Sequence, residues 1–308
     1  MKRVVIGAAL AFGFFATSAQ AEDATCKKVR FADVGWTDIQ VTTGATSVLL
    51  EALGYEAEVK TLSVPVTYAS LKNKDIDVFL GNWMPSMTAD VKAYMDDKSV
   101  ETVGVNLGGA GYGLVVPQYV ADAGVKSLAD LAANKDKFKG KIYGIEAGND
   151  GNRIIGEMIG KAENKLAGYE LVESSEAGML TQAEQAMKNK EWIIFLGWTP
   201  HPVMGEMKIA YLDGMGDSGF GAATVSTNVR AGYLAQCPNV GKLLSNLKFD
   251  LAAEGAMMGP VLKDSADPKA VAKTWLKANP AAYAPWLAGV KTADGKDAAA
   301  AVAAALAK

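Results

Sequence analysis

The sequence predicts an α/β fold arranged in two lobes, and three observations carry that prediction. Short apolar runs of strand character alternate with segments of helical spacing along most of the chain, the pattern of mostly parallel sheets covered by helices on both faces. Once an N-terminal leader is set aside, about 290 residues remain, more than one hydrophobic core usually serves. A segment also recurs: Leu71-Lys72-Asn73-Lys74-Asp75-Ile76-Asp77-Val78-Phe79-Leu80-Gly81-Asn82-Trp83-Met84-Pro85 returns as Met187-Lys188-Asn189-Lys190-Glu191-Trp192-Ile193-Ile194-Phe195-Leu196-Gly197-Trp198-Thr199-Pro200. At about fifteen positions the echo is too short for a solenoid period, and it marks two similar units, each delivering a tryptophan from a strand that follows a helix.

The leader comes first in the chain. Lys2 and Arg3, an apolar stretch over 4–16 and the Ala19-Gln20-Ala21 triplet have the form of a secretory signal peptide, 1–21, so the mature chain is expected to begin near Glu22 in the periplasm. That stretch is shorter than a bilayer span, and no later one approaches about eighteen uninterrupted apolar residues, so the exported chain is expected to be soluble. Strands are predicted at 28–34, 56–62, 76–80, 102–106, 114–116, 141–145, 171–174, 192–196 and 208–212. Helices are predicted at 43–53, closed by Gly54, at the capping box Ser127-Leu128-Ala129-Asp130, and at 151–167, 181–190 and 267–276. The alanine-rich tail, 297–308, reads as a thin surface helix.

Export permits disulfides, and the chain has two cysteines, Cys26 and Cys237, which are expected to pair. Closing so long a loop stabilises by roughly 5 kcal/mol in the chain-entropy model. The pairing would also put the mature N-terminus and a late segment in one lobe. The formal net charge is −3 and becomes more negative when Lys2 and Arg3 leave, so the footprint of a nucleic-acid binder is absent. With one histidine, His201, and two oxidised cysteines, no metal-site spacing exists. No cofactor is expected.

Two motifs imitate enzymes. Gly214-Met215-Gly216-Asp217-Ser218-Gly219 matches a dinucleotide fingerprint by letter, but 220–229 is β-branched and polar, leaving the pyrophosphate no helix N-terminus. Gly216-Asp217-Ser218-Gly219 also resembles a serine-protease nucleophile turn, and a hydrolase built on Ser218 would have to use His201.

The signal that outweighs them is aromatic. Gly35-Trp36-Thr37-Asp38, Gly81-Asn82-Trp83-Met84-Pro85, Gly111-Tyr112-Gly113 and Gly197-Trp198-Thr199-Pro200 each close or border a strand-like run. Any one ring alone reads best as core packing, as Trp192, Trp275 and Trp286 do. Four glycine-flanked rings drawn from both halves of the chain, at the strand ends where ligands gather in α/β sheets, read as a site for a cation that cannot hydrogen-bond.

With Gly148-Asn149-Asp150 and Gly197-Trp198-Thr199-Pro200-His201 falling in the same order, the chain resembles the periplasmic choline-binding proteins of ABC importers, within the wider glycine betaine/choline-binding family. The resemblance spans essentially the whole mature chain. It implies a type II periplasmic binding protein fold with the ligand cleft between the lobes, no catalysis, and delivery of ligand to a membrane permease by a monomer. It further implies that Trp36, Trp83, Tyr112 and Trp198 form an aromatic box, that Asp38 sets a carboxylate beside the cation, and that Asn149 and Asp150 hold the choline hydroxyl. His201 matches a position that can contact the carboxylate of betaine in relatives, so glycine betaine stays open as a ligand, as does a sensory use of the same fold. The lobes are expected at 22–111 with 208–308, and at 112–207.

Overall fold

The computed structural model describes residues 24–308; the signal peptide at 1–21 and the mature start near Glu22 lie outside the described residues. Among the described residues nine strands form one continuous sheet: β1 (Lys28–Asp33), β2 (Glu56–Thr61), β3 (Val78–Met84), β4 (Val100–Pro117), β5 (Lys141–Tyr143), β6 (Glu170–Val172), β7 (Phe195–Thr199), β8 (Ile209–Tyr211) and β9 (Gly221–Arg230). The order is β2-β1-β3-β9-β4-β7-β5-β6, with β8 beside β4. Each end is a parallel α/β unit, β2-β1-β3 at one and β7-β5-β6 at the other. Between them β9 and β4 run antiparallel to their neighbours.

The mostly parallel expectation is therefore corrected to a mixed sheet. The strand β9 was not foreseen, because Gly219 and Gly221 punctuate its start and its first residues are small. The two runs expected at 102–106 and 114–116 are parts of one strand, β4. Its register against β9 shifts at Thr102/Gly104, Val105/Leu107 and Leu107/Ala110, so the strand bends without ending.

The echo is visible in space. Helix Val64–Lys72 leads to β3 and helix Glu176–Lys188 leads to β7, and each helix closes on an Asn-Lys pair whose lysine, Lys74 or Lys190, has positive φ. Both echoes end in a cis X-Pro bond, at Met84-Pro85 and Thr199-Pro200.

The helix expected from residue 43 begins six residues earlier and spans Thr37–Ala52. Its first turns are threonine-rich and hide their periodicity, but the Thr42 and Thr46 hydroxyls donate to the carbonyls of Asp38 and Thr42, at 3.0 and 2.8 Å. It is buried on nearly every side, which is why no polar face marks it. The expected helix at 151–167 stops at Gly160, and the capping box at Ser127–Asp130 forms but opens only a 3-10 turn. The tail helix Ala298–Ala307 is no bystander: Val302 and Leu306 are buried in the core. Trp192 and Trp286 pack on Phe138 and Phe249, as their plain surroundings predict. Cys26 and Cys237 are joined, Cα to Cα 5.5 Å, tying the segment before β1 to the turn before helix Pro238–Asn246. Among the described residues no helix is long and apolar enough to cross a membrane.

One buried carboxylate pins β1, β3 and β9. Asp77 accepts from the Arg30 backbone N–H at 2.9 Å, from Arg30 Nε and Nη2 at 2.8 and 2.7 Å, and from Arg230 Nε at 2.7 Å. Burial pushes its pKa up, but the hydrogen bonds from the two guanidinium groups outweigh burial and hold it below the usual carboxylate value. Truncating such an acid strands two cations. Asp77→Ala should cost about 3 to 5 kcal/mol in urea unfolding. Asp96→Ala, which removes an exposed i,i+4 pair with Lys92, should change stability by less than about 1 kcal/mol. Equal effects at the two sites would contradict this account of Asp77.

Candidate ligand-binding site

The carboxyl ends of strands from both parallel units meet at one cavity. Its empty space, part of it open to solvent, is about 260 Å³, and it is lined by Trp36, Asp38, Trp83, Tyr112, Ile145, Asn149, Asp150 and Trp198. Every residue that the sequence put in the box and its polar cap is on that wall; Ile145 is the addition. All eight are buried.

Each ring is placed by its backbone. Trp36 is the N-cap of helix Thr37–Ala52, reached through Gly35 at φ +84°. Trp83 lies near the end of β3. Tyr112 on β4 is register partner to Trp198 on β7, so those two rings leave adjacent strands at one level. Tyr112 stands at the centre, its centroid 5.8 Å from Trp83, 6.5 Å from Trp198 at 77°, and 5.2 Å from Phe220 at 89°. Its hydroxyl donates to Asn149 Oδ1 at 3.2 Å, and Gly151 is what lets it in: a Cβ there would lie 2.1 Å from the Tyr112 oxygen. Asn149 caps helix Asp150–Gly160 by accepting the Asn152 N–H, and its amide donates to Asp150 Oδ1 at 3.2 Å.

The indole N–H groups of Trp36 and Trp83 are already committed. Trp36 Nε1 donates to Glu146 Oε1 at 2.8 Å and Trp83 Nε1 to Asp38 Oδ2 at 3.1 Å. The opposite is true of the acids. Asp38 Oδ1 and Asp150 Oδ2 are buried and accept no hydrogen bond from any described residue. Burial pushes the Asp38 carboxyl up to about 7, with Glu176 adding repulsion, and burial pushes Asp150 up to about 6 and Glu146 up to about 7. Glu254 stands near Asp38, and burial drives it far above its ordinary value. The site therefore combines electron-rich faces with desolvated carboxyl groups that form no ion pair among the described residues, Arg153 acting on Asp150 only from a distance, which suits a positively charged, weakly hydrated guest.

His201 lies outside the cavity. Its ring stands edge-on behind Trp198 at 4.9 Å, Nδ1 accepts the Met204 N–H at 3.2 Å, and Nε2 meets Glu176 Oε1 at 3.1 Å. Ser218, the candidate nucleophile, accepts from the Phe220 N–H, while both nitrogens of His201 are engaged elsewhere. The glycine motif at 214–219 runs into β9, with no helix to follow.

Sequence reasoning missed Glu146, Glu176 and Phe220. Phe220 carried a signal: it sits between Gly219 and Gly221 as Tyr112 sits between Gly111 and Gly113. Glu146 follows the strand that leads to Asn149, so its loop was marked. Nothing local marks Glu176, whose partners lie 139 and 25 residues away.

The fold and the site define a two-lobed substrate-binding protein. The family model for the substrate-binding domain of ABC-type glycine betaine transport systems matches residues 27–278, and the chain belongs to that family. The chain is similar to a solved ABC-transporter choline-binding protein in complex with choline, at 57% identity and a TM-score of 0.90 over 92% of this chain and 100% of that one. Against an unliganded, semi-closed structure of an ABC-transporter choline-binding protein the identity is again 57% and the coverage the same, with a TM-score of 0.84. The glycine betaine/carnitine transport binding protein GbuC of Listeria monocytogenes is 31% identical over 181 residues, 56% of this chain and 58% of that protein.

The raised carboxyl groups have a consequence for the ligand-free protein. Their folded pKa values exceed the unfolded ones, so the native state binds more protons between about pH 4 and 7 and stability falls as pH rises through that window. Urea unfolding of ligand-free protein should show lower stability at pH 8 than at pH 5, and Asp38→Asn should flatten that slope. A slope of opposite sign, unchanged in Asp38→Asn, would mean that these acids are not buried as described.

Proposed function

We propose that this chain captures choline in the aromatic cavity, as an extracytoplasmic solute-binding protein, and delivers it to the permease of an ABC importer without catalysis. The observation that carries the reading is the wall of four buried rings joined to two buried carboxylate oxygens that accept no hydrogen bond from any described residue. A quaternary ammonium brings a permanent charge and no N–H groups. It therefore loses no hydrogen bonds on entering, and each well-placed ring returns about 0.5 to 2 kcal/mol. Four rings supply several of the roughly 8 kcal/mol that a micromolar complex needs, with methyl burial and the carboxylates supplying the remainder. A primary ammonium would lose the hydration of three donors. Asn149 and Asp150 take the hydroxyl tail, and the commitment of both His201 nitrogens supports binding over hydrolysis.

In this reading the leader at 1–21 exports the chain to the periplasm, where it acts as a monomer. Residues 22–111 with 208–308 form one lobe and 112–207 the other, with a hinge about the two crossing segments. Several bonds then cross the cleft: Trp36 to Glu146, Thr37 to Glu176, and Arg153 to Asp90 at 2.8 Å and to the Ser86 carbonyl at 2.7 Å. They support a closed arrangement, as does the greater likeness to the choline-bound structure.

Glycine betaine is the second reading, favoured by the family's description and by GbuC. The unpartnered oxygens of Asp38 and Asp150 oppose it, because they would repel a ligand carboxylate while one accepts the choline hydroxyl. Calorimetric titration should find choline at least about tenfold tighter than betaine, about 1.4 kcal/mol. Equal affinities would replace the ligand but keep the box.

The box itself is tested by truncation. Trp83→Ala or Trp198→Ala should weaken choline by roughly 1 to 3 kcal/mol, through a lost cation–π face and an opened cavity. Trp275→Ala, on helix Pro268–Ala278 and off the cavity wall, should leave affinity nearly unchanged. Similar losses at all three positions would report damage to the fold.

A further inference from the structure

Behind the Trp36 and Trp198 walls two hydrogen-bond donors converge on a single carboxylate. Glu176 opens helix Glu176–Lys188 and is buried. Its Oε2 accepts from the backbone N–H of Thr37 at 2.9 Å. Thr37 is the first residue of the sixteen-residue helix Thr37–Ala52, so this N–H is one of the free donors at its positive end. Oε1 of Glu176 lies 3.1 Å from His201 Nε2. Because His201 Nδ1 accepts the Met204 N–H, the neutral ring carries its proton on Nε2 and donates it to Glu176. Thr37 sits between Trp36 and Asp38 in sequence, and the His201 ring stands against Trp198. A helix N-terminus and an imidazole N–H aimed at one point beside the aromatic cavity are the parts of a carboxylate receptor.

We propose that Glu176 is a specificity-determining residue: it fills this receptor with the chain's own carboxylate, so that a quaternary ammonium with an anionic tail is refused and one with a neutral tail is accepted. The inference rests on the reading of the cavity as a quaternary-ammonium site. With Glu176 in place, a ligand carboxylate finds both donors taken and a like charge beside them. With Glu176 removed, two buried donors lack an acceptor and the space it filled opens behind the wall, so a zwitterionic ligand turns its tail from Asn149 and Asp150 toward Thr37 and His201 and supplies one. Sites that leave buried polar groups unpaired discriminate strongly between ligands that differ in one group.

The test is calorimetric titration of choline and glycine betaine into wild type, Glu176→Ala, Glu176→Ser, Glu176→Gln and Glu176→Ala/His201→Ala, each first checked for a cooperative thermal transition. The alanine and serine variants open the same space, so misfolding of one leaves the other to decide. The expected result is that both narrow the choline-to-betaine ratio by about tenfold or more, through a gain in betaine affinity. Glu176→Gln still fills the space and should not gain betaine, and His201→Ala should cancel the gain in the alanine background. Acetate should compete with betaine, and not with choline, in Glu176→Ala. If wild type binds choline while folded Glu176→Ala and Glu176→Ser keep the wild-type ratio, the role of Glu176 is overturned and the choline reading stands. If wild type binds neither ligand, both fall.

Discussion

Buried negative charge without a cation from the chain is the constraint on which the rest of this structure turns. Two aspartates show the difference. Asp77 is buried and held by two arginines, and its carboxyl is pulled below its ordinary value. Asp38 is buried just as fully, has one indole N–H on one oxygen and nothing on the other, and is pushed up to about 7. The first is a completed structural joint. The second is an incomplete one, and so is Asp150. Under the proposed function a cation from outside completes them, and the surrounding indole and phenol faces favour one that offers no hydrogen bonds.

The sheet makes such a site possible. Two parallel α/β units turn the carboxyl ends of their strands toward a common centre because β4 and β9 run antiparallel between them. Tyr112 comes from β4 where that strand pairs with β7 on one side and β9 on the other, and its ring reaches both Trp83 and Trp198. With the lobes divided as proposed, three of the polar contacts across the cleft start beside the cavity: Trp36 lines it, Thr37 follows Trp36, and the Ser86 hydroxyl donates to the Trp83 carbonyl. On that division, filling the cavity and joining the lobes share part of their contacts, the arrangement expected where ligand and closure are coupled.

Much of this could be read from the chain. Glycine-flanked aromatic turns mark backbone that must approach closely, and the echo at 71–85 and 187–200 exposed two equivalent helix–strand units. Signals of this type are local, so they survive in sequence. The less legible features depend on distant partners. Strand β9 has small residues at its start and takes its order from β3 and β4, so 220–229 declared itself non-helical without declaring a strand. The glycines in β4 look like an interruption, yet antiparallel pairing absorbs them as register shifts. Helix Thr37–Ala52 lacks a polar face because it is surrounded, and periodicity fails where burial is uniform. Glu146 and Glu176 acquire meaning only from Trp36, Thr37 and His201, none of which a local motif could place beside them.

If choline pairs with the buried carboxyl groups as proposed, it displaces the protons that the ligand-free protein holds on them. Its charge is permanent, so any proton that moves on binding belongs to the protein. Titration calorimetry of choline at pH 7, repeated in buffers of different ionisation enthalpy, counts that exchange directly. The account predicts net release, of order one proton per choline bound, declining above about pH 8 where the acids are already ionised. Heats that are independent of the buffer, or net proton uptake, would contradict it.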